Sequence, residues 1–181
     1  MRVASVAQAV SGTECIIAAA AAADASGIVA VLDANRHDPS LYLRSERDVL
    51  GHAGEFVVAR DAFGRIVGCA ALHRDSAGLA EVLSVAVLPT AQGKGVGGRL
   101  VEACERRARA QGIPRLWLAT LKPGYFARFG YRPIPLWWLP PAVLLGKLAL
   151  VVRQPPDRWR NALLGREVFM LLDVAPAPPA T

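Results

Sequence analysis

Cysteine is scarce in this chain of 181 residues: Cys15, Cys69 and Cys104 are too few and too scattered for a disulfide framework or for a metal site built on close cysteine pairs. The histidines, His37, His52 and His73, show no ligand spacing, and no metal is expected. Residues 1–11 contain one arginine and no continuous apolar core ending in a cleavage site, so no secretory signal is expected and the cytoplasm is the compartment that follows. No apolar run reaches the roughly 20 residues that a spanning helix needs. The most hydrophobic stretch, 136–152, is interrupted by Pro140 and Pro141 and carries Lys147 inside it. A buried helix is expected there, and membrane contact is not; an interfacial membrane contact or a homodimer surface are the alternatives. Basic residues are neither interleaved with exposed aromatics nor set along one helix, so a nucleic-acid surface is not expected.

What is present is a core-forming composition. Hydrophobic residues make up 53% of the chain, with a mean hydropathy of +0.30. Length and composition suit one domain, expected over 1–174, followed by a proline-rich tail, 175–181, that should fray. Charge is uneven. Residues 1–93 carry 7 basic and 10 acidic side chains, and residues 94–181 carry 14 and 5. The second half should therefore attract an anion, such as a phosphorylated small molecule.

Along the chain, a short apolar stretch from Cys15 reads as a strand, and Asp24 offers an N-cap to a helix over 28–34. Ser45 with Asp48 forms a weak capping box for a short second helix ending near Gly51. Apolar runs at 55–60, 65–73 and 79–88, separated by gaps of hairpin length, predict an antiparallel meander. After Pro89 comes a glycine-rich loop, then a helix closed by Gly112 whose exposed side carries Arg99, Glu102, Glu105, Arg106, Arg107 and Arg109. A strand over 115–121, a short helix over 124–129, a stop at Gly130, a helical turn opened by Pro155, Pro156 and Asp157, and a closing strand over 167–174 complete the pattern. Strand, loop, helix, strand is a βαβ unit, so the sheet is predicted to be mixed.

The loop Gln92-Gly93-Lys94-Gly95-Val96-Gly97-Gly98 lies between a strand and a helix. Glycines let backbone N–H groups turn toward one point, and the helix adds unpaired N–H groups and the positive end of its dipole, a nest suited to a pyrophosphate. Lys94 and Arg99 add positive charge. Gly93, Gly95 and Gly98 match the dinucleotide fingerprint G-x-G-x-x-G, which also wants an acidic residue about 20 positions on. Residues 113–121 contain none, and a doubly wound fold would not open on an antiparallel meander.

Gln92, Gly95 and Gly97 also fill Q/R-x-x-G-x-G/A, after an apolar strand ending Val85-Ala86-Val87-Leu88-Pro89. Here the sequence resembles the GNAT superfamily of acetyl-CoA-dependent N-acetyltransferases over roughly residues 14–133. The resemblance implies an α/β (α+β) fold with a mixed, mostly antiparallel central sheet flanked by helices and an acetyl-CoA-binding βαβ unit. It implies that Val85, Ala86 and Val87 face the pantetheine and acetyl group, that Gln92, Gly93, Lys94, Gly95, Val96, Gly97 and Gly98 hold the pyrophosphate, and that the Val87 N–H is the oxyanion donor. Ala127-Arg128-Phe129-Gly130-Tyr131 resembles the family's turn beside the thiol. Leu43-Arg44-Ser45, Cys69-Ala70-Ala71-Leu72 and Gly124-Tyr125-Phe126 are similar to the amino-acid acetyltransferase branch typified by N-acetylglutamate synthase. There an arginine at the position of Arg44 holds the acceptor's carboxylate, as a guanidinium fork matches two oxygens. Leu83 stands where the branch often has an arginine, and 134–165 is longer and more apolar than its usual counterpart.

The implied function is transfer of the acetyl group of acetyl-CoA to a small primary amine, an amino acid included, by direct attack in a ternary complex. Such transfer needs a neutral amine, a polarised carbonyl and a proton for the thiolate. Glu81, on the central strand, is the candidate base acting through water. Phe126 stands where many of these enzymes carry an acidic tyrosine, and Tyr125 is the adjacent candidate, though neighbours on a helix point about 100° apart. The alternative is a non-catalytic acyl-CoA or amino-acid sensing module of the same fold.

Overall fold

The computed structural model describes residues 15–39, 41–76, 78–152 and 167–174. Twelve elements follow in chain order: β1 (Ile16–Ala19), α1 (Ala25–Ala34), α2 (Glu46–Gly51), β2 (Phe56–Arg60), β3 (Ile66–Ser76), β4 (Leu79–Val87), α3 (Val96–Ala110), β5 (Arg115–Thr120), α4 (Pro123–Ala127), β6 (Arg132–Pro133), α5 (Pro141–Val152) and β7 (Val168–Asp173). The strands form one sheet in the order β1-β2-β3-β4-β5-β7-β6. All neighbours are antiparallel except β4 and β5, which α3 connects in parallel. The mixed, mostly antiparallel sheet and its βαβ unit are as the sequence predicts.

Both faces of the sheet are covered, which is why its central strands read as nearly continuous apolar runs. Along β3, Ala70 and Leu72 face α3 with Leu100, Val101, Cys104 and Ala108. Cys69 and Ala71 face the other way, onto Ile28, Val31 and Leu32 of α1 and Val49 of α2. The three cysteines are buried and unpaired, and burial pushes the Cys69 and Cys104 thiols up to about 12. They remain protonated at neutral pH and act as small core residues.

Local expectations fare unevenly. Ser45 caps α2 as predicted: its hydroxyl accepts from the Asp48 N–H at 3.1 Å while Asp48 accepts from the Ser45 N–H at 3.1 Å. Asp24 does not cap α1. Its carboxylate accepts from the Ala21 N–H at 2.8 Å and pairs with Arg60 at 2.6 Å, tying the start of α1 to β2. β3 runs three residues beyond the predicted 73, which shortens the second hairpin to a tight turn, and the short helix begins and ends earlier than 124–129. Glu105 is buried rather than exposed, since it follows Cys104 on the apolar side of α3. β6, a two-residue bridge to β7, carries no periodicity for sequence reading to find.

The largest correction concerns 136–152. It is not a buried helix. A short 3-10 turn, Leu136–Trp138, and α5 lie at the β7 side of the sheet, where Leu139 is buried against Trp117 and Leu171. Trp137, Leu145 and Leu148 remain 81%, 67% and 55% exposed, while the side chain of Lys147 is only 10% exposed. The helical turn expected at Pro155–Asp157, and the tail, lie outside the described residues. Among the described residues no helix is long and apolar enough to cross a membrane.

One buried polar side chain ties α1 to the end of β4 and to the loop that follows it. Asn35, at the end of α1, donates to the carbonyls of Val31 at 2.9 Å and Val87 at 3.1 Å and accepts from Gln92 at 3.2 Å. Asn35→Ala removes these contacts without replacing them, so unfolding in urea should show a loss of about 1–3 kcal/mol. A loss below about 0.5 kcal/mol would show that the link is not structural.

Candidate active site

The parallel pairing of β4 with β5 covers only Ala80↔Leu116 and Glu81↔Trp117. Beyond it the strands part, although β4 continues to Val87 and β5 to Thr120. The cause lies in β4, where two steps along β3, from Cys69 to Ala71, match three along β4, from Ala86 to Leu83. The extra residue is accommodated at Ser84, whose φ of 54° is left-handed. Such a bulge turns the strand and increases its twist. The result is a cleft of about 620 Å³, walled by 82–87 on one side and 118–120 on the other.

The glycine loop closes one end of the cleft. Gly93 and Gly95 have φ of +74° and +76°, conformations that L side chains rarely adopt, and Gly95 is the N-cap of α3. The first bond onto the helix runs from the Arg99 N–H to the Gly95 carbonyl at 3.2 Å, so the N–H groups of Val96, Gly97 and Gly98 head the helix ahead of it. The Gln92 side chain turns back to the Val87 carbonyl at 2.9 Å and to Asn35, where it steadies the loop on β4. Lys94 is exposed, donates to the Thr90 carbonyl at 3.1 Å and is not on the cleft wall.

Val85, Ala86, Val87, Gln92, Gly93, Gly95, Val96, Gly97 and Gly98 all line this cleft, as do Glu81 and Tyr125. Tyr125 reaches over the head of α3: a Cβ on Gly97 would meet its hydroxyl at 2.6 Å. Burial pushes the Tyr125 phenol above its usual value, with Arg128 opposing, so it stays protonated at neutral pH. Phe126, also on the cleft wall, packs edge-on against it with ring centroids 5.1 Å apart.

Glu81 lies at the opposite end, where the Lys147 ammonium donates to its Oε1 at 2.9 Å. The ammonium also sits over the rings of Trp117, Tyr42 and Phe169, at 4.9, 5.5 and 5.9 Å. Burial alone would push Lys147 down, but Glu81, Tyr42 and Glu167 outweigh it and hold the lysine above its usual value. Burial pushes the Asp75 and Glu167 carboxyls up. Asp75 is held by the Trp117 indole N–H at 2.6 Å.

Arg44 is not on the cleft wall. Its guanidinium lies 5.8 Å from the centre of the Phe56 ring, and its Nε is buried without a hydrogen-bond partner. His73, beside Glu81 in the β3–β4 register, pairs with Glu55 at 2.9 Å instead of entering the cleft. Sequence reading missed Asn35, Tyr42 and Lys147. The lone lysine within an apolar run was the available signal for the last.

The profile of the acetyltransferase (GNAT) family matches residues 16–131. An uncharacterized N-acetyltransferase of Chlorobaculum tepidum is 34% identical over 118 residues, 65% of this chain and 76% of that one. An amino-acid acetyltransferase of Mycobacterium tuberculosis is 38% identical over 82 residues, 44% of this chain and 47% of that one. The N-acetylglutamate synthase of Neisseria gonorrhoeae, solved with coenzyme A and N-acetyl-glutamate, superposes with a TM-score of 0.72 at 26% identity, covering 89% of this chain and 35% of that one. The chain thus spans about half or less of the amino-acid acetyltransferases it matches.

Gly95 is where the loop is least able to change. Gly95→Val puts a β-branched side chain at a left-handed φ and disturbs the N–H groups at the head of α3. Calorimetric titration of the folded variant should show acetyl-CoA affinity reduced at least tenfold, about 1.4 kcal/mol. Equal affinity would remove the loop from the site.

Proposed function

The chain belongs to the GNAT family of acetyltransferases, and on that premise we propose that it transfers the acetyl group of acetyl-CoA to a primary amine by direct attack in a ternary complex. The observation that carries this reading is the cleft itself. Parted strands join a cradle of helix-head N–H groups at one end to a carboxylate, Glu81, at the other. The pyrophosphate of acetyl-CoA lies against 93–98, and the pantetheine runs along Val85–Val87 between the strands. Backbone groups of β4 that lack a partner on β5 give the pantetheine amides hydrogen bonds. The Val87 N–H polarises the thioester carbonyl, Glu81 accepts the amine's proton through water, and Tyr125, kept protonated by burial, supplies a proton to the thiolate.

A free amino acid is the acceptor class favoured by relatives named amino-acid acetyltransferase. Arg44, with its buried and unpartnered Nε, is the arginine for the acceptor's carboxylate, and it would have to turn from Phe56 toward the cleft. A second reading, a sensing module without turnover, is favoured by Phe126 in the usual position of the acid.

Release of free CoA with a panel of amino acids, polyamines and arylamines separates the two. The transferase reading expects release with at least one primary amine, and Glu81→Gln should lower kcat by about 10²–10⁴ while leaving the acetyl-CoA Kd within a few-fold. Binding of acetyl-CoA without release under every acceptor would favour the sensor. Arg44→Leu should raise the KM for amino acids about ten- to a hundredfold without changing acetyl-CoA binding. Turnover confined to hydrophobic amines would return Arg44 to a packing role.

A further inference from the structure

Lys147 is placed against the logic of its own helix. α5 packs Val143 and Leu144 against the core and leaves Leu145 and Leu148 exposed, yet its one charged residue also points inward, where an amphipathic surface helix carries apolar residues only. The inward lysine is 10% exposed and its carboxylate partner, Glu81, 8%. A buried ion pair is weak evidence of stabilisation, because desolvation of both charges offsets their attraction, so this pair calls for an account of another kind.

Its surroundings supply one. The Nζ has a carboxylate oxygen at 2.9 Å and the faces of Trp117 and Tyr42 at 4.9 and 5.5 Å. A carboxylate with aromatic faces is the environment that receives a protonated alkylamine. Lys147 and Glu81 share one cleft with Ser84, Val85 and Thr120, between the parted strands. The chain's own primary amine thus occupies the place of an acceptor, beside the candidate base.

We propose that the protein acetylates its own Lys147. This rests on the reading that acetyl-CoA is the donor in this cleft. The ammonium first gives a proton to Glu81, which passes it to solvent. The neutral Nζ then attacks the thioester carbon, forming a C–N bond as the C–S bond breaks, and the second nitrogen proton goes to the departing sulfur. Lysine and acetyl-CoA become Nε-acetyl-lysine, free CoA thiol and one released proton, with no change of oxidation state. Glu81 and its neighbours favour the charged lysine, which opposes the step, and it occurs once per chain because the amide nitrogen it forms is no longer nucleophilic. The product amide is neutral and no longer pairs with Glu81, which leaves that carboxylate free for an external amine.

The chain contains only three lysines, which makes the test direct. Lys94 is exposed on the glycine loop, and Lys122 is exposed and paired with Asp38 at 2.8 Å. The full chain is incubated with acetyl-CoA and no added amine, followed by intact mass measurement and peptide mapping. One acetyl increment is expected, on Lys147, in at least about tenfold excess over Lys94 and Lys122. Lys147→Arg should abolish the increment, and Glu81→Gln, which keeps the lysine, should slow it at least about tenfold. Equal acetylation of all three lysines marks non-enzymatic chemistry and overturns the proposal. So does an unmodified Lys147 in a protein that binds acetyl-CoA and acetylates added amines, an outcome that spares the donor reading. Absence of acetyl-CoA binding overturns both.

Discussion

A single left-handed residue in β4 sets the geometry on which the rest depends. Ser84 lies at φ 54°, a conformation that costs a residue with a Cβ about 1–2 kcal/mol. It is held there because both edges around the break are fixed: β3 pairs along β4, and β7 pairs along the whole of β5 from Arg115 to Thr120. Beneath the gap, α3 packs Leu100 and Val101 with Val82 of β4 and Leu118 of β5 and bridges the parted strands from one face. The sheet is thus opened along one seam without losing its core. The backbone groups along that seam need partners, which water supplies in the free protein and a ligand with amides of its own supplies when bound.

The ends of the seam differ in electrical character. At the loop end the groups facing the cleft are backbone N–H groups and a helix head, with Arg128 on the wall. At the other end Glu81, Asp75 and Glu167 surround a single lysine. On the proposed function, an anionic donor group and a cationic acceptor would be drawn to opposite ends of the seam. The basic excess of residues 94–181 agrees with the loop end, but net charge alone says nothing of the acidic pocket at the other. That pocket is assembled from β3, β4, α5 and the residue that precedes β7; Lys147 and Glu81 stand 66 positions apart in the sequence, and only the fold brings them together.

The parts of the fold legible in the sequence are those written locally. The Ser45–Asp48 box, the glycines around α3 and the turn-separated apolar runs each carry their signal within a few residues, and their elements form where expected. The bulge at Ser84 left no mark, because serine has no special propensity for it and it shows only in the paired register, three steps along β4 against two along β3. Asp24 shows the other kind of miss: a good capping residue was drawn off by Arg60, 36 positions away. The stretch 136–152 shows that hydrophobicity does not by itself fix burial. In the fold, α5 packs Val143 and Leu144 inward, leaves Leu145 and Leu148 exposed and turns its one charge onto Glu81. Within the site, β4 and the loop glycines were readable from resemblance, Arg44 and Lys94 lie off the cleft, and Lys147 showed in the sequence only as a lone lysine in an apolar run, its partner Glu81 being 66 positions away.

The opened seam between β4 and β5 is the proposed binding site for acetyl-CoA. The most direct measurement is the unfolding temperature of the whole chain against concentrations of acetyl-CoA, NAD and ATP up to the millimolar range. A ligand that binds only the folded state stabilises it by about 2.7 kcal/mol at a hundredfold excess over its Kd. A saturating rise is expected with acetyl-CoA and a far smaller one with NAD or ATP at equal concentration. No rise with acetyl-CoA, or an equal rise with all three, would contradict it.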